Sequence, residues 1–129
     1  MADLNTLRPI EATTLGDMLL RSAQRHPERD ALVFPDCSLT YADLWQAAVT
    51  RARSLHALGI GYGDYLGILL PNGPEYIELL LGAVLCGAVA VPINARNKAA
   101  ELAYVIENAE IRGLVTSDVI SEYADFGGL

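Results

Sequence analysis

The chain has 129 residues, of which 52% are hydrophobic and 19% are charged, and its mean hydropathy is +0.27. This length and composition are typical of a single soluble domain with one core. The 9 Lys and Arg residues against 16 Asp and Glu residues give a net charge of −7, which argues against a nucleic-acid partner because no basic stripe can contact phosphates.

The N-terminal stretch has an acid at Asp3 and no apolar h-region, so no secretory signal is visible and the expected location is cytoplasmic. The two cysteines, Cys37 and Cys86, are far apart in the sequence. They support neither a disulfide nor a metal site, so we expect no bound metal. Cys86 lies in an apolar stretch and is interpreted as a small core residue.

Two helices and a hairpin are predicted in the first part of the chain. Thr14 can cap the first helix and Pro27 ends it, while Thr40, followed three residues later by Asp43, gives the second helix a short capping box. A Pro-Asp-Cys-Ser turn separates the two strands of the hairpin. In chain order, these elements are predicted over Leu15–His26, Ala31–Phe34, Ser38–Thr40 and residues 41–58.

A strand, a helix and a second strand come next, and they define the fold class. The helix begins at Pro74 and ends at Gly87, and because it alone joins the strands they should lie parallel. A further helix and a third parallel strand follow. These strands and the last helix are predicted over Tyr65–Leu70, Ala88–Pro92, Glu101–Asn108 and Leu114–Thr116. The prediction is an α/β fold in one domain, with a parallel three-stranded sheet core, flanking helices and a small N-terminal β-hairpin.

The apolar stretch Tyr76–Ile93 is long enough to raise the alternative of a membrane span. However, Glu78 lies inside it, and Gly82 and Gly87 interrupt it. A buried helix followed by a buried strand explains the same residues. We therefore expect no membrane span.

Two other patterns are interpreted as structural rather than functional. Residues 59–63, Gly-Ile-Gly-Tyr-Gly, resemble a dinucleotide-binding loop, but such a loop follows a strand and opens a helix, whereas this one does the reverse. It is predicted to be a turn. His26 and His56 lie near helix ends with no carboxylate or cysteine at ligand spacing, so neither is interpreted as a catalytic base.

Several longer segments carry a resemblance to a known family. In order, they read LTYADL, LGIGYGDYLGILLPNGPEYIELLLG, CGAVAVPINAR and ELAYVIENAEIRGLVTSD. Together they resemble the opening segment of AMP-forming acyl-CoA synthetases, in the adenylate-forming superfamily shared with luciferases and peptide-synthetase adenylation domains. The resemblance implies the N-terminal subdomain of the adenylate-forming fold, as an N-terminal fragment of a larger AMP-binding domain.

The same resemblance implies an ATP-dependent ligase. Such an enzyme joins a carboxylic or fatty acid to ATP as an acyl-adenylate, releases pyrophosphate and usually transfers the acyl group to the thiol of coenzyme A. The complete enzyme is therefore expected to use ATP, Mg²⁺ and coenzyme A.

The motifs that carry this chemistry in the family do not occur in this sequence. It has no Ser/Thr/Gly-rich phosphate loop ending in Pro-Lys-Gly, and its single lysine, Lys98, matches none of the family's motifs. We therefore expect no catalytic residue in this chain, no cofactor bound to it and no activity of the chain alone. The alternatives are a truncated protein that serves as an interaction or regulatory module, and a fragment of a fatty-acyl-AMP ligase.

The loop after the second parallel strand is the candidate binding site. Open α/β sheets bind ligands at the carboxyl ends of their strands, where Asn94 and Arg96 lie. By resemblance this loop is near the access path of coenzyme A and the acyl group, where Arg96 would pair with a phosphate or carboxylate. The alternative is that Asn94 and Asn97 cap the next helix while Arg96 is solvated. Asn72 and Gly73 precede another helix and form a second candidate anion site, which helix capping also explains.

The sheet also predicts self-association. A three-stranded parallel sheet has open edges, and unpaired edge groups beside apolar helix faces tend to find another copy. We therefore expect a homodimer or larger assembly of this chain.

Overall fold

A computed structural model describes residues 14–118, so the expectation for the N-terminal stretch lies outside it. Every helix and strand predicted within this range is present, with ends that differ by at most two residues. The helices are α1 (Leu15–Arg25), α2 (Tyr41–Ala57), α3 (Pro74–Leu85) and α4 (Ala99–Asn108). The strands are β1 (Asp30–Val33), β2 (Ser38–Thr40), β3 (Tyr65–Leu69), β4 (Val89–Pro92) and β5 (Gly113–Thr116).

Two sheets form, as predicted. β1 and β2 pair antiparallel as a hairpin, and β3, β4 and β5 form a parallel sheet in the order β4-β3-β5. In this sheet Tyr65 is level with Val89, and Leu66 is level with Gly113. The central position of β3 explains its apolar sequence, because a strand with a neighbour on each side and a helical layer on each face is buried. Leu66 to Leu69 are buried, and only Tyr65 at the start of β3 is exposed.

The two faces of β3 contribute to different clusters of the core. Leu66 and Ile68 pack with the side chains of α2 and α3, including Leu55 and Ala83. On the opposite face, Leu69 packs with residues of the β4 end and α4. A third cluster joins α1 and the hairpin to α2 and α3. The sheet therefore lies between α2 and α3 on one side and α4 on the other.

The helix ends follow the predicted capping signals. The Thr40 hydroxyl accepts a hydrogen bond from the Asp43 N–H at 3.1 Å, and the Asp43 carboxylate accepts from the Thr40 N–H at 3.1 Å. The Thr40 hydroxyl also donates to the Asp43 carboxylate at 2.8 Å, and this bond, followed by the one from the Thr40 N–H, holds the pKa of Asp43 below its usual value. Pro74 is the first residue of α3, and Gly87 follows its end with a φ of +81°. The prediction that a glycine ends α3 is confirmed, since this left-handed conformation is costly for other residues.

The apolar stretch from Tyr76 to Ile93 forms most of α3, a turn and β4, as the buried-helix interpretation predicted. Within residues 14–118, no helix is both long enough and apolar enough to cross a membrane.

Candidate functional site

The loop after β4 is shaped by a short set of backbone contacts. Ile93 is buried, and its N–H donates to the Ile68 carbonyl at 2.9 Å, which anchors the loop to the sheet. The Asn94 side-chain oxygen accepts from the Arg96 N–H at 3.0 Å, and the Asn94 carbonyl accepts from the Asn97 N–H at 3.0 Å. The side chain and the carbonyl of Asn94 therefore close a tight turn, and Arg96 lies at its exposed tip.

The loop after β3 lies beside this turn because β3 and β4 are neighbouring parallel strands. It runs from Leu70 to Gly73 and enters α3 at Pro74. Asn72 is exposed, whereas Tyr76, in the first turn of α3, is partly buried. The carboxyl ends of two adjacent strands thus present two loops to the same region of solvent, the usual place for ligands in open α/β sheets.

The two loops enclose an open pocket of about 520 Å³. Its wall is apolar and aromatic, and its rim carries two amides and one guanidinium. The wall consists of Leu70, Pro71, Tyr76, Pro92 and Ile93, and the polar rim of Asn72, Asn94 and Arg96. An apolar wall with a few polar groups is the ordinary composition of a small-molecule pocket. The structure therefore brings the predicted residues Asn94 and Arg96 together with Asn72.

The pocket has a positive rim. Within residues 14–118, the ion pairs join Arg51 to Glu78 at 2.9 Å and Arg112 to Asp64 at 2.8 Å, and neither involves Arg96. No hydrogen bond of the Arg96 side chain occurs within this range either. An exposed guanidinium without an internal partner offers all its N–H groups to a phosphate or carboxylate. The chemistry of the rim therefore suits an anionic group.

The alternative role of the loop asparagines, as N-caps of α3 and α4, is wrong. The N-cap of α4 is Lys98, whose N–H is held by the Glu101 carboxylate at 2.9 Å, so neither Asn94 nor Asn97 caps α4. The N-cap of α3 is Gly73, with no side-chain hydrogen bond, so Asn72 does not cap α3. The solvated position expected for Arg96 in that alternative agrees with its exposure.

The remaining candidates have the structural roles that were predicted. Residues 59–63 form a turn between α2 and β3, in which the Gly61 N–H donates to the Asp64 carboxylate at 2.8 Å. His26 and His56 lie at the ends of α1 and α2 and are exposed. Cys86 packs against the core, and its thiol donates to the Ala83 carbonyl at 3.2 Å.

Neither buried polar residues nor clusters of metal-binding side chains occur among the described residues. No buried polar or charged residue occurs in residues 14–118. The same range contains no group of three or more His, Cys, Asp or Glu side chains that could hold a metal ion. The charged group that lines the pocket is Arg96.

The sequence interpretation missed two features, one at the pocket and one at the opposite end of the sheet. Tyr76 forms part of the pocket wall; its position two residues after Pro74 was a usable signal, since the first turn of such a helix faces the strand ends. The Arg112 hydrogen bond to Asp64 was also missed, because 48 residues separate the partners. That hydrogen bond, followed by the one from the Gly61 N–H, holds the pKa of Asp64 below its usual value.

The fold is that of an α/β domain with an open pocket at the carboxyl ends of two neighbouring parallel strands. The chain belongs to the AMP-binding enzyme family, whose match covers residues 19–126. The resemblance to the opening segment of the adenylate-forming enzymes is thereby confirmed.

Curated relatives include several ligases. The chain is 34% identical over 121 residues to a medium/long-chain-fatty-acid–CoA ligase of Mycobacterium tuberculosis, covering 93% of this chain and 20% of the relative. It is 40% identical over 97 residues to a long-chain-fatty-acid–CoA ligase of the same species, covering 74% of this chain and 19% of the relative. The chain spans only 3% to 21% of the length of the first eight relatives.

Solved structures agree on the fold. The chain matches the N-terminal domain of FACL13 from M. tuberculosis with a TM-score of 0.81 and 34% identity, covering 87% of this chain and 29% of that one. It matches the N-terminal subdomain of NpsA from Klebsiella oxytoca with a TM-score of 0.80 and 29% identity, covering 84% and 28% of the two chains. The predicted fold class, the N-terminal subdomain of the adenylate-forming fold, is therefore confirmed.

Proposed function

We propose that this chain is the N-terminal part of an ATP-dependent acyl-CoA ligase. The enzyme would join a carboxylic or fatty acid to ATP as an acyl-adenylate, release pyrophosphate and transfer the acyl group to coenzyme A. The observation that carries the proposal is the family match over residues 19–126, together with fatty-acid–CoA ligases among the relatives. The identity of the acid is left open, because the pocket of this chain has few polar groups.

The chain's own contribution is to bind and to position, not to react. The residues present do not fit Mg²⁺ and the phosphates of ATP, because the sequence has a single lysine, no phosphate loop and, within residues 14–118, no acidic metal cluster. No step of adenylate formation is therefore assigned to this chain, and the chain alone is expected to be inactive. The nucleotide chemistry would belong to the rest of the enzyme.

We assign Asn94 and Arg96 to the access path of coenzyme A and the acyl group. Arg96 stands at the rim of the pocket and would pair with a phosphate or carboxylate, while the apolar wall would contact the uncharged part of the ligand. Asn94 would act through the turn it closes, since its side chain is hydrogen-bonded to the Arg96 N–H. A local cation is needed to attract an anionic ligand, because the chain as a whole carries a charge of −7.

Two experiments test the proposal. Purified residues 1–129 should show no exchange of pyrophosphate into ATP and no acyl-adenylate formation, because the chain has no phosphate loop. Robust exchange by a homogeneous sample would contradict the assignment of the chemistry to other parts of the enzyme.

The second experiment uses the complete enzyme with Arg96→Ala. A charge-assisted hydrogen bond contributes about 1.5–3 kcal/mol, so the KM for coenzyme A should rise about 10- to 100-fold while ATP–pyrophosphate exchange stays unchanged. Arg53→Ala is the matched control, because Arg53 is an exposed arginine of α2 far from the pocket loops in sequence. An unchanged KM in Arg96→Ala would show that Arg96 is merely solvated.

A further inference from the structure

Tyr76 belongs to the core and to the pocket at once. It lies in the first turn of α3, where it packs against the core cluster that contains Ile68 and Leu79. The same residue forms part of the pocket wall. A tyrosine held by core packing has little rotational freedom left to lose when a ligand binds. Its place in the wall is therefore set by the fold before a ligand arrives.

The Tyr76 hydroxyl has no hydrogen-bond partner within residues 14–118. It is not sealed in the core either, because the buried side-chain oxygen without a partner in this range is that of Ser117. Solvent therefore reaches the Tyr76 hydroxyl, although the residue as a whole is only partly exposed. The hydroxyl of a tyrosine with a buried ring usually finds a partner. Since Tyr76 lines the pocket, a bound ligand can supply one.

The Asn72 side chain adds a second uncharged polar group on the same side of the pocket. It lines the pocket, is exposed and makes no hydrogen bond within residues 14–118. The Asn94 side-chain oxygen, by contrast, is used inside the turn after β4. The β3 loop and α3 thus supply uncharged donors and acceptors, whereas the loop after β4 supplies the positive charge of Arg96.

This division of polar groups selects against an alkyl chain. A hydrocarbon chain across the pocket would remove the Tyr76 and Asn72 groups from water and offer them no hydrogen bond, which is unfavourable. A ligand with uncharged donors and acceptors beside an anionic group would satisfy both of them and Arg96. Coenzyme A carries amide and heterocyclic groups as well as phosphates, whereas a fatty acid has polar atoms only at its carboxylate.

We propose that Tyr76 is a specificity-determining residue of this pocket. Its hydroxyl forms a hydrogen bond with an uncharged polar group of coenzyme A, while Arg96 pairs with the anionic part of the same molecule. The inference rests on the proposed function and deepens it, because it assigns the pocket to the coenzyme and not to the acyl chain.

The experiment is steady-state kinetics of the complete enzyme with Tyr76→Phe, which removes the hydroxyl and keeps the ring. A hydrogen bond between uncharged groups changes binding by about 2- to 10-fold, so the KM for coenzyme A should rise by that factor. The KM for the acid and the rate of ATP–pyrophosphate exchange should not change. Tyr104→Phe is the matched control, because it removes the same atom from a tyrosine of α4 that is 67% exposed and does not line the pocket.

Thermal unfolding of the same variants separates binding from a structural role. Tyr76→Phe should leave Tm unchanged, since the hydroxyl has no partner within residues 14–118. A lowered Tm would show that the hydroxyl is bonded inside the complete enzyme, and this would overturn the proposal.

Arg96→Ala, measured in parallel, separates the role of Tyr76 from the proposed function. If Arg96→Ala raises the KM for coenzyme A and Tyr76→Phe does not, only the role of Tyr76 is overturned. A higher KM for the acid in Tyr76→Phe, with an unchanged KM for coenzyme A, would assign the pocket to the acyl chain and overturn it too. If neither substitution changes the KM for coenzyme A, the assignment of the pocket to the access path fails as well.

Discussion

Gly82 offers a sharp test of how the helical layer is packed. It lies buried in α3 where α3 crosses α2, and a Cβ at this position would lie 2.5 Å from the Arg51 Cβ and 3.0 Å from the Ala52 N. Both of these atoms are fixed by the backbone of α2 and cannot rotate away. We therefore expect Gly82→Ala to force the two helices apart.

The change in the free energy of unfolding caused by Gly82→Ala follows from two opposing effects. Carbon atoms in ordinary contact are about 3.5–4.0 Å apart, so the helices would have to separate by roughly 1 Å. Overpacking costs about 1–3 kcal/mol, and an approach of 2.5 Å belongs to the upper part of this range, at about 2–3 kcal/mol, whereas replacing glycine by alanine within a helix returns about 1 kcal/mol. The net expectation is a loss of about 1–2 kcal/mol in the free energy of unfolding, which lowers Tm by about 3–10 °C.

Thermal unfolding followed by circular dichroism measures this effect. Gly61→Ala is the control, because a Cβ on Gly61 would meet nothing within 4 Å and the substitution keeps the N–H that donates to Asp64. Its Tm should be equal to that of the unsubstituted chain or slightly higher. If Gly82→Ala is as stable as the control, the close contact of α2 and α3 is not a constraint, and the reasoning fails.

Two further predictions concern the turn after α3 and the pH dependence of stability. Gly87→Val should lower Tm more than Gly82→Ala does, since Gly87 has a φ of +81° and a Cβ there would lie 3.0 Å from the Tyr62 ring; unchanged thermal stability would show that the helix end is wrongly assigned. Asp64→Asn should lower Tm at neutral pH. Because the pKa of Asp64 is lowered in the folded chain, its stabilising effect is present above the unfolded pKa of about 3.9 and disappears as the pH falls through the folded pKa. The Tm difference between the two chains should therefore vanish in acid, and a difference that persists there would contradict the role of the Arg112 hydrogen bond.

The sequence was sufficient for the elements whose signals are local. Thr40 and Asp43 specify a helix start through a capping box that lies within four residues, and Gly87 specifies a helix end through its own backbone. The parallel arrangement of β3 and β4 also follows locally, because a single helix connects them. For these features, the interactions that decide the structure lie within a short segment of chain.

Features that join distant segments could not be predicted in the same way. The position of β3 between β4 and β5 depends on where α4 returns the chain, and the sequence pattern contains no record of strand order. The contact between Gly82 and α2 and the bond from Arg112 to Asp64 depend on that arrangement. At the site, the rule for open α/β sheets placed Asn94 and Arg96 correctly beside a pocket. The position of Tyr76 in the pocket wall depends on the orientation of α3, which the sequence pattern does not give.

The helix α3 connects the packing of the domain to the geometry of the pocket. Its middle is fixed against α2 by the close approach at Gly82 and by the bond from Arg51 to Glu78 at 2.9 Å. Its first turn carries Tyr76, which forms the pocket wall together with the loop that bears Arg96. A change in the spacing of α2 and α3 therefore moves the wall relative to the guanidinium, although neither Gly82 nor Arg51 lines the pocket. Since small displacements of positioning groups have large effects on binding and rate, the contact between the two helices is part of what defines the site.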